Sequence, residues 1–301
     1  MNKSKLCAVT LIILLLTIFF SGCVDENKND NTIDGSTLYV DINGSKQYKT
    51  IQKAIDDAKE NYTIFVSPGL YKENFVINKT INLIGENPET TIIDGNKSGN
   101  VIVIDGAEFC NVTGFTIKNC GSSNAGMYIK TANNNISNNI FKDNHDGVYV
   151  HDSNANTNQN YFYDNTFTSN SGYGIYLSDS DSNMVKNNIF TDNSYGMRVK
   201  ALNNIITGNC YKDNYRGLYF CCYADDNLVY NNNFINNSEY NAKDTSAGEI
   251  WYDSEKNLGN YWDDYVGTDD NGDGIGDLPY ENITGYGANQ DPYPLMDSQI
   301  C

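Results

Sequence analysis

Apolar and polar positions repeat in a fixed order through the middle of the chain. Gly126-Met127-Tyr128-Ile129 returns as Gly147-Val148-Tyr149-Val150, Gly174-Ile175-Tyr176-Leu177, Gly196-Met197-Arg198-Val199 and Gly217-Leu218-Tyr219-Phe220, at steps of 21, 27, 22 and 21 residues. A second row follows: Asn139-Ile140-Phe141, Asn165-Thr166-Phe167, Asn188-Ile189-Phe190, Asn209-Cys210-Tyr211 and Asn232-Asn233-Phe234. Three residues after each aromatic stands another Asn: Asn144, Asn170, Asn193, Asn214 and Asn237. Asn260-Tyr261-Trp262 fits a sixth unit.

Each apolar cluster is short, alternates with polar residues and is bounded by Gly or Asn, which is a strand pattern. A helical repeat needs ~34 residues for two helices. A period near 22 therefore predicts one coil of a parallel β-helix, with strands stacked ~4.8 Å apart. Asn at the same turn of every coil predicts an amide ladder, and Asn tolerates the left-handed conformation of such turns. Within the Gly-x-Tyr-x strand, alternation sends the second and fourth residues inward and the third outward.

Upstream, Ile51, Ala54, Ile55 and Ala58 recur at helical spacing after Thr50, a good N-cap residue. This predicts one amphipathic helix covering the open end of the solenoid. Strand-like runs follow at Thr63–Val66, Phe75–Ile77, Ile81–Ile84, Thr91–Ile93 and Val101–Ile104, punctuated by Pro68-Gly69 and Asp94-Gly95.

The stretch from Tyr48 through Thr50, Ile51, Gln52, Ala54 and Ile55, then Ile64 to Glu73 with Pro68-Gly69, resembles the opening of pectin-lyase-like right-handed β-helix proteins. The repeats and the ending resemble the NosD-type surface branch of that group. The ending comprises Gly259-Asn260-Tyr261-Trp262, the run Asp269 to Tyr280, and Asp291-Pro292-Tyr293-Pro294-Leu295. The resemblance spans roughly residues 37–297. It implies the fold: all-β, a right-handed parallel β-helix with an N-terminal capping helix and a C-terminal calcium-loop segment. The branch is named after a periplasmic protein of nitrous oxide reductase maturation, often described as copper-binding. His145 and His151 are the only histidines, and no Met-rich or His-rich tract offers copper its ligands.

Lys3 and Lys5 precede an apolar run from Leu6 to Phe20, which breaks at Ser21-Gly22-Cys23. That is the layout of a secretory signal, and Phe20-Ser21-Gly22-Cys23 resembles a lipobox with Cys23 as the lipidated residue. Residues 1–22 are then the signal peptide, 23–36 a lipidated tether, 37–262 the β-helix and 263–301 an Asp-rich calcium-loop cap. The expected location is extracytoplasmic, at the cell surface, with membrane contact through the N-terminal lipid alone.

Composition sharpens the function classes. The formal charge is −18 and the chain has two arginines, Arg198 and Arg216. Acidity of this size argues against nucleic acid as a partner. Beyond Cys7 and Cys23, six cysteines remain, which allow 15 pairings. Sequons at Asn43, Asn61, Asn78, Asn96, Asn111, Asn135, Asn236 and Asn282 suit a surface glycoprotein.

Stacked coils predict an outward row of Tyr128, Tyr149, Tyr176, Arg198 and Tyr219, with Lys130, His151, Ser178, Lys200 and Cys221 beside it. Such a face suits carbohydrate, whose apolar rings lie on Tyr while hydroxyls reach polar neighbours; equally, a tyrosine ladder stabilises the sheet by stacking on itself. Asp152 and Asp179, with His151 nearby, are candidate carboxylates for glycosidic cleavage, and Arg198 or Lys200 a candidate lyase base. The Asp-rich loop places Asp269, Asn271, Asp273 and Asp277 at positions 1, 3, 5 and 9, with the Ile275 carbonyl at 7 and Gly274 at 6, an oxygen set for structural calcium. Position 12 is Tyr280 rather than Glu, so Glu281 or Asp291 is the expected completion of the shell. The expected role is binding of carbohydrate or a neighbouring surface component. A polysaccharide hydrolase or lyase, and a copper-delivery accessory of NosD type, are the alternatives.

Overall fold

The computed structural model describes residues 36–151, 157–287, 289–298 and 301. The signal peptide, the proposed lipidation residue Cys23 and nearly all of the tether lie outside these residues, as does Asp152. Among the described residues, strands pair in parallel into three nine-stranded sheets. Each coil gives one strand to each sheet, so the chain winds a right-handed solenoid of nine turns. Successive strands of the tyrosine sheet include Ala125–Ile129, Asp146–Val150, Tyr173–Ser178, Tyr195–Lys200, Arg216–Phe220 and Tyr240–Asp244. A phenylalanine sheet carries Ile140–Lys142, Thr166–Thr168, Ile189–Thr191, Cys210–Lys212, Asn233–Ile235 and Tyr261–Trp262. The third sheet is aliphatic inside but for one aromatic, with Val112, Ile136, Phe162, Val185, Ile206 and Val229 in register.

The core is a column of like on like. Phe141, Phe167, Phe190, Tyr211, Phe234 and Trp262 stack with ring centroids 4.4–5.0 Å apart and planes within 8°. Tyr280 covers the last of them at 4.2 Å. The Gly of each Gly-x-Tyr repeat has a packing cause. A Cβ at Gly147 or Gly174 would stand 2.5 Å from the carbonyl oxygen of the equivalent glycine one coil on, and 2.8 or 2.7 Å from a core phenylalanine ring.

Three buried asparagine ladders line the turns. Asn139, Asn165, Asn188, Asn209, Asn232 and Asn260 form one, and Asn144, Asn170, Asn193, Asn214 and Asn237 another. A third, Asn134, Asn160, Asn183, Asn204 and Asn227, escaped the sequence reading. In every rung, the side-chain oxygen of the later coil accepts the backbone N–H of the earlier one. The ladder residues are not themselves left-handed, contrary to expectation. The residue before each one is, except Gly259 before Asn260: φ is 52–57° at Asn138, Asp164, Asn187 and Asn231, 68° at Gly208, and 53–57° at Asp143, Ser169, Asp192, Asp213 and Asn236. One residue makes the bend and the next makes the bonds.

Since every rung donates toward the C-terminus, each ladder ends on unspent donors. Carboxylates meet them. Asn227 donates its N–H and its amide to Glu249, at 3.1 and 2.8 Å. Asn260 donates its N–H to Asp291 at 2.7 Å, and the Trp262 indole adds a 2.9 Å bond to the same oxygen. Asn237 reaches Asn241, whose amide donates to Asp263 and Asp264. Burial pushes the Asp291 carboxyl up to about 6 and the Glu249 carboxyl up to about 8. Asp291 is therefore structural and buried, not the completing ligand of a calcium loop.

At the other end, the helix Ile51–Asp57 buries Ile51, Ala54 and Ile55 and lies against the strands Thr37–Val40, Tyr62–Val66 and Phe75–Ile77. Thr50 holds the N-cap backbone conformation but makes no side-chain capping bond. The carboxylate of Glu73, from the next coil, accepts the N–H groups of Ile51 and Gln52 at 3.0–3.2 Å instead. Tertiary structure supplied the cap that the local sequence assigned to Thr50. Among the described residues, one disulfide joins Cys210 to Cys301, 91 residues on, and ties Cys301 to the phenylalanine sheet.

Candidate functional site

The outward row forms as the alternation requires. Register pairs Tyr128 with Tyr149, Tyr149 with Tyr176, Tyr176 with Arg198, Arg198 with Tyr219 and Tyr219 with Lys243. The rings of Tyr128, Tyr149 and Tyr176 stack at 5.2 Å. The Arg198 guanidinium continues the pile, 4.8 Å from the Tyr176 ring and 5.7 Å from that of Tyr219. A parallel row, which the sequence reading did not single out, holds Tyr173, Tyr195, Arg216 and Tyr240. Its signal was the residue directly before the repeat Gly.

Arg198 clamps the two rows together, and Arg216 braces its own. Arg198 Nη1 donates to the Tyr173 hydroxyl at 2.9 Å. Arg216 donates to the Tyr195 hydroxyl and to Glu239. All these rings are half-buried. Because ring faces are spent on one another, the surface offers solvent edges and hydroxyls rather than open aromatic platforms. Burial holds the hydroxyls of Tyr149, Tyr176 and Tyr195 above their ordinary pKa, so they present neutral donors and acceptors.

Beside the row, Ser178 and Cys221 are buried, so the expected outward positions there are not open to solvent. His151 is half-buried, with Nδ1 3.2 Å from the Ser178 carbonyl and 3.6 Å from the Asp179 carboxylate. Lys200 Nζ donates to Asp179 at 3.0 Å. Partial burial works against the charge on Asp179, but the bonds from Lys200 and Ser178 outweigh it and hold the carboxyl below its ordinary range. The same bond holds Lys200 above its own ordinary range, so it stays protonated, the wrong state for a lyase base. The structure thus joins His151, Asp179 and Lys200. The second carboxylate of the expected pair, Asp152, lies outside the described residues.

The Asp-rich loop folds around Asp269. Its carboxylate accepts the amides of Gly272, Asp273 and Gly274, and these bonds hold it below its ordinary pKa, with that of Gly274 the strongest. Asn271 accepts from the Asp273 amide and Asp273 from that of Ile275. Asp277 accepts instead from the Asp270 amide and the Thr268 hydroxyl. Gly272 and Gly274 have φ of 75° and 85°, the left-handed region that explains glycine there. Among the described residues, no three His, Cys, Asp or Glu side chains converge on one point.

With the geometry in place, comparison with known proteins gives the lineage. Residues 28–267 match the family described as "Periplasmic copper-binding protein (NosD)". The "Probable ABC transporter binding protein NosD" of Pseudomonas aeruginosa is 37% identical over 81 residues, 27% of this chain and 18% of the relative. A "Cell surface glycoprotein" of Methanothermus fervidus is 33% identical over 132 residues, 38% of this chain and 21% of the relative. The chain thus spans only about a fifth of the length of these curated relatives. Among solved structures, the catalytic domain of a GH87 alpha-1,3-glucanase in complex with tetrasaccharides superposes with a TM-score of 0.54 at 14% identity, over 80% of this chain and 49% of the other. That likeness shows a shared fold. The family match covers well over half of the chain and agrees with the pectin-lyase-like solenoid seen here; this chain belongs to the NosD family, whose description places its members in the periplasm.

Proposed function

We propose that this chain is a non-catalytic, extracytoplasmic β-helix, lipid-anchored through Cys23, that binds a hydroxyl-rich polymer or a neighbouring surface component across its tyrosine–arginine face. The observation that carries this reading is the pair of in-register outward rows, in which both arginines of the chain sit among tyrosines. Ring edges, neutral hydroxyls and the nearby cations Lys130, Lys200 and Lys243 suit a ligand recognised by hydrogen bonds and acidic groups. On this reading calcium is the ion of the Asp-rich loop, held by Asp269, Asn271, Asp273, Asp277 and the Ile275 carbonyl. All-oxygen donors and two left-handed glycines support it.

The test is a double hydroxyl deletion, Tyr149→Phe with Tyr176→Phe, which keeps the stacking. Retardation in gels containing neutral or uronate polysaccharides should be lost while the melting temperature barely moves. A parent protein retarded by none of them sinks the binding face. The runner-up, a polysaccharide hydrolase or lyase, draws on the grouping of His151, Asp179 and Lys200. Release of reducing ends or unsaturated products in the same samples would favour it.

A further inference from the structure

We propose that the corner of the last coil, at Asp244, Ser246, Glu249 and Trp251, binds a small ligand that carries a primary ammonium beside a hydroxyl, of the amino-sugar class. In the tyrosine sheet one inward column runs Ile129, Val150, Leu177, Val199, Phe220 and then Asp244, in register. The preceding coils put an apolar side chain there; the last puts a carboxylate, and it is fully buried. Its Oδ1 accepts the amides of Ser246 and Ala247 at 2.7 and 2.9 Å and closes the turn after the strand, while its Oδ2 has no hydrogen-bond partner. Glu249 is in the same state: Oε2 ends the third asparagine ladder, and Oε1 is buried without a partner. The Ser246 hydroxyl and the Trp251 indole N–H are buried and unpartnered as well. Among the described residues, four of the five such side-chain atoms thus lie in this one corner. The bridge between Leu228 and Ile250 holds the segment extended, so Glu249 and Trp251 share the side opposite the exposed Ile250.

Charge and donor count select the ligand. A buried carboxylate needs a cation or a full set of hydrogen bonds. Among the described residues neither Asp244 nor Glu249 is in an ion pair. Burial, and after it the charges of Asp244 and Asp225, work against the Glu249 carboxylate, so a cationic ligand is favoured beside it. Three acceptors, Asp244 Oδ2, Ser246 Oγ and Glu249 Oε1, match the three N–H donors of one ammonium. The Trp251 N–H repels a bare cation and needs an acceptor, which a hydroxyl oxygen on the same ligand supplies. A metal ion fits less well, because no three His, Cys, Asp or Glu side chains converge among the described residues. The way in is a cavity of about 430 Å³ lined by Glu249, Trp251, Ala247, Ile250 and Tyr252. It has room for one sugar ring and apolar walls for the C–H face of that ring. The corner is separate from the tyrosine–arginine face, and this inference does not rest on the polymer-binding reading.

The experiment titrates glucosamine into the full-length protein, read by calorimetry and by tryptophan fluorescence. One saturable equivalent with a fluorescence change is expected. Glucose, which lacks the ammonium, and N-acetylglucosamine, in which it is acylated, should bind at least about 30-fold more weakly. Asp244→Asn keeps the acceptor of the turn amides and Glu249→Gln keeps that of Asn227, so each should weaken glucosamine to a similar degree with the circular dichroism unchanged. Ser246→Ala breaks no hydrogen bond of the fold and tests the site even where a carboxylate variant unfolds; it should weaken binding about tenfold. Tyr149→Phe with Tyr176→Phe should leave glucosamine binding intact, which separates this corner from the polymer face. No glucosamine bound by the parent, glucose bound equally well, undiminished binding in Ser246→Ala, or binding lost in the double tyrosine variant would each overturn the proposal.

Discussion

Asn187 and Asn188 are neighbours of the same type with different duties, and that contrast tests the ladder directly. Asn188 is fully buried. Its oxygen accepts the N–H and the amide of Asn165, both at 3.0 Å. Its own amide donates to the carbonyls of Phe162 and Lys186 and to Asn209, at 2.9–3.0 Å. In Asn188→Ala some partners keep other bonds: the Asn165 amide still reaches the Ile136 carbonyl, and the Asn209 oxygen still accepts the backbone N–H of residue 188. One buried group is left without its side-chain acceptor, the Asn165 N–H, while the Phe162 carbonyl lies in a paired strand and loses only its side-chain donor. At ~1–3 kcal/mol for the buried donor left unpaired and about 0.5–1.5 kcal/mol for the further bonds lost, the cost is about 2–4 kcal/mol. Asn187 is exposed and serves through its left-handed backbone, φ 55°. Asn187→Ala should therefore cost about 1–2 kcal/mol, and Asn187→Gly close to nothing. Urea unfolding measures all three, followed by circular dichroism and by fluorescence of Trp251 and Trp262, because solenoids unfold in stages. If Asn188→Ala costs no more than Asn187→Ala, the ladder is decorative and the reasoning fails.

The Asp291 carboxyl, raised from 3.8 to about 6 in the fold, makes stability depend on pH. Its folded form binds the proton more tightly, so its contribution is fully present below about pH 4 and lost as pH rises through about 6, on the order of 3 kcal/mol. Melting temperatures across that window should fall with rising pH, and Asp291→Asn should flatten the trend; an unchanged slope in the variant would contradict the assignment. For the Asp-rich loop, chelation should lower the melting temperature and Asp273→Ala should erase that calcium dependence. Coincident melting curves with chelator and with excess calcium would rule the ion out.

The coil itself was legible in the sequence. Alternation within Gly-x-Tyr-x fixed which side chains point in, and its recurrence at steps of 21, 27, 22 and 21 residues fixed the stacking of Tyr128, Tyr149, Tyr176, Arg198 and Tyr219. Both follow from strand geometry, which acts over two to four residues and recurs wherever the pattern does. Two of the three asparagine ladders were equally visible, because each rung sits at a fixed distance from a core aromatic. The third was not, since the segments before Asn134, Asn160 and Asn183 vary in length and hide its register. Other features belong wholly to tertiary structure. Glu73 displaces Thr50 as the helix cap because the next coil brings a carboxylate to two free amides. Cys210 finds Cys301 across 91 residues. Asp291 looked like a spare calcium ligand until the fold placed it under the last rung, where donors pointing one way up the whole solenoid had to end on an acceptor. Arg198, read as an outward charge, is held between Tyr176 and Tyr219 with its edge on the Cys221 thiol. Position along the chain states which residues share a face; only the stacking of coils decides which of their polar groups are already spent.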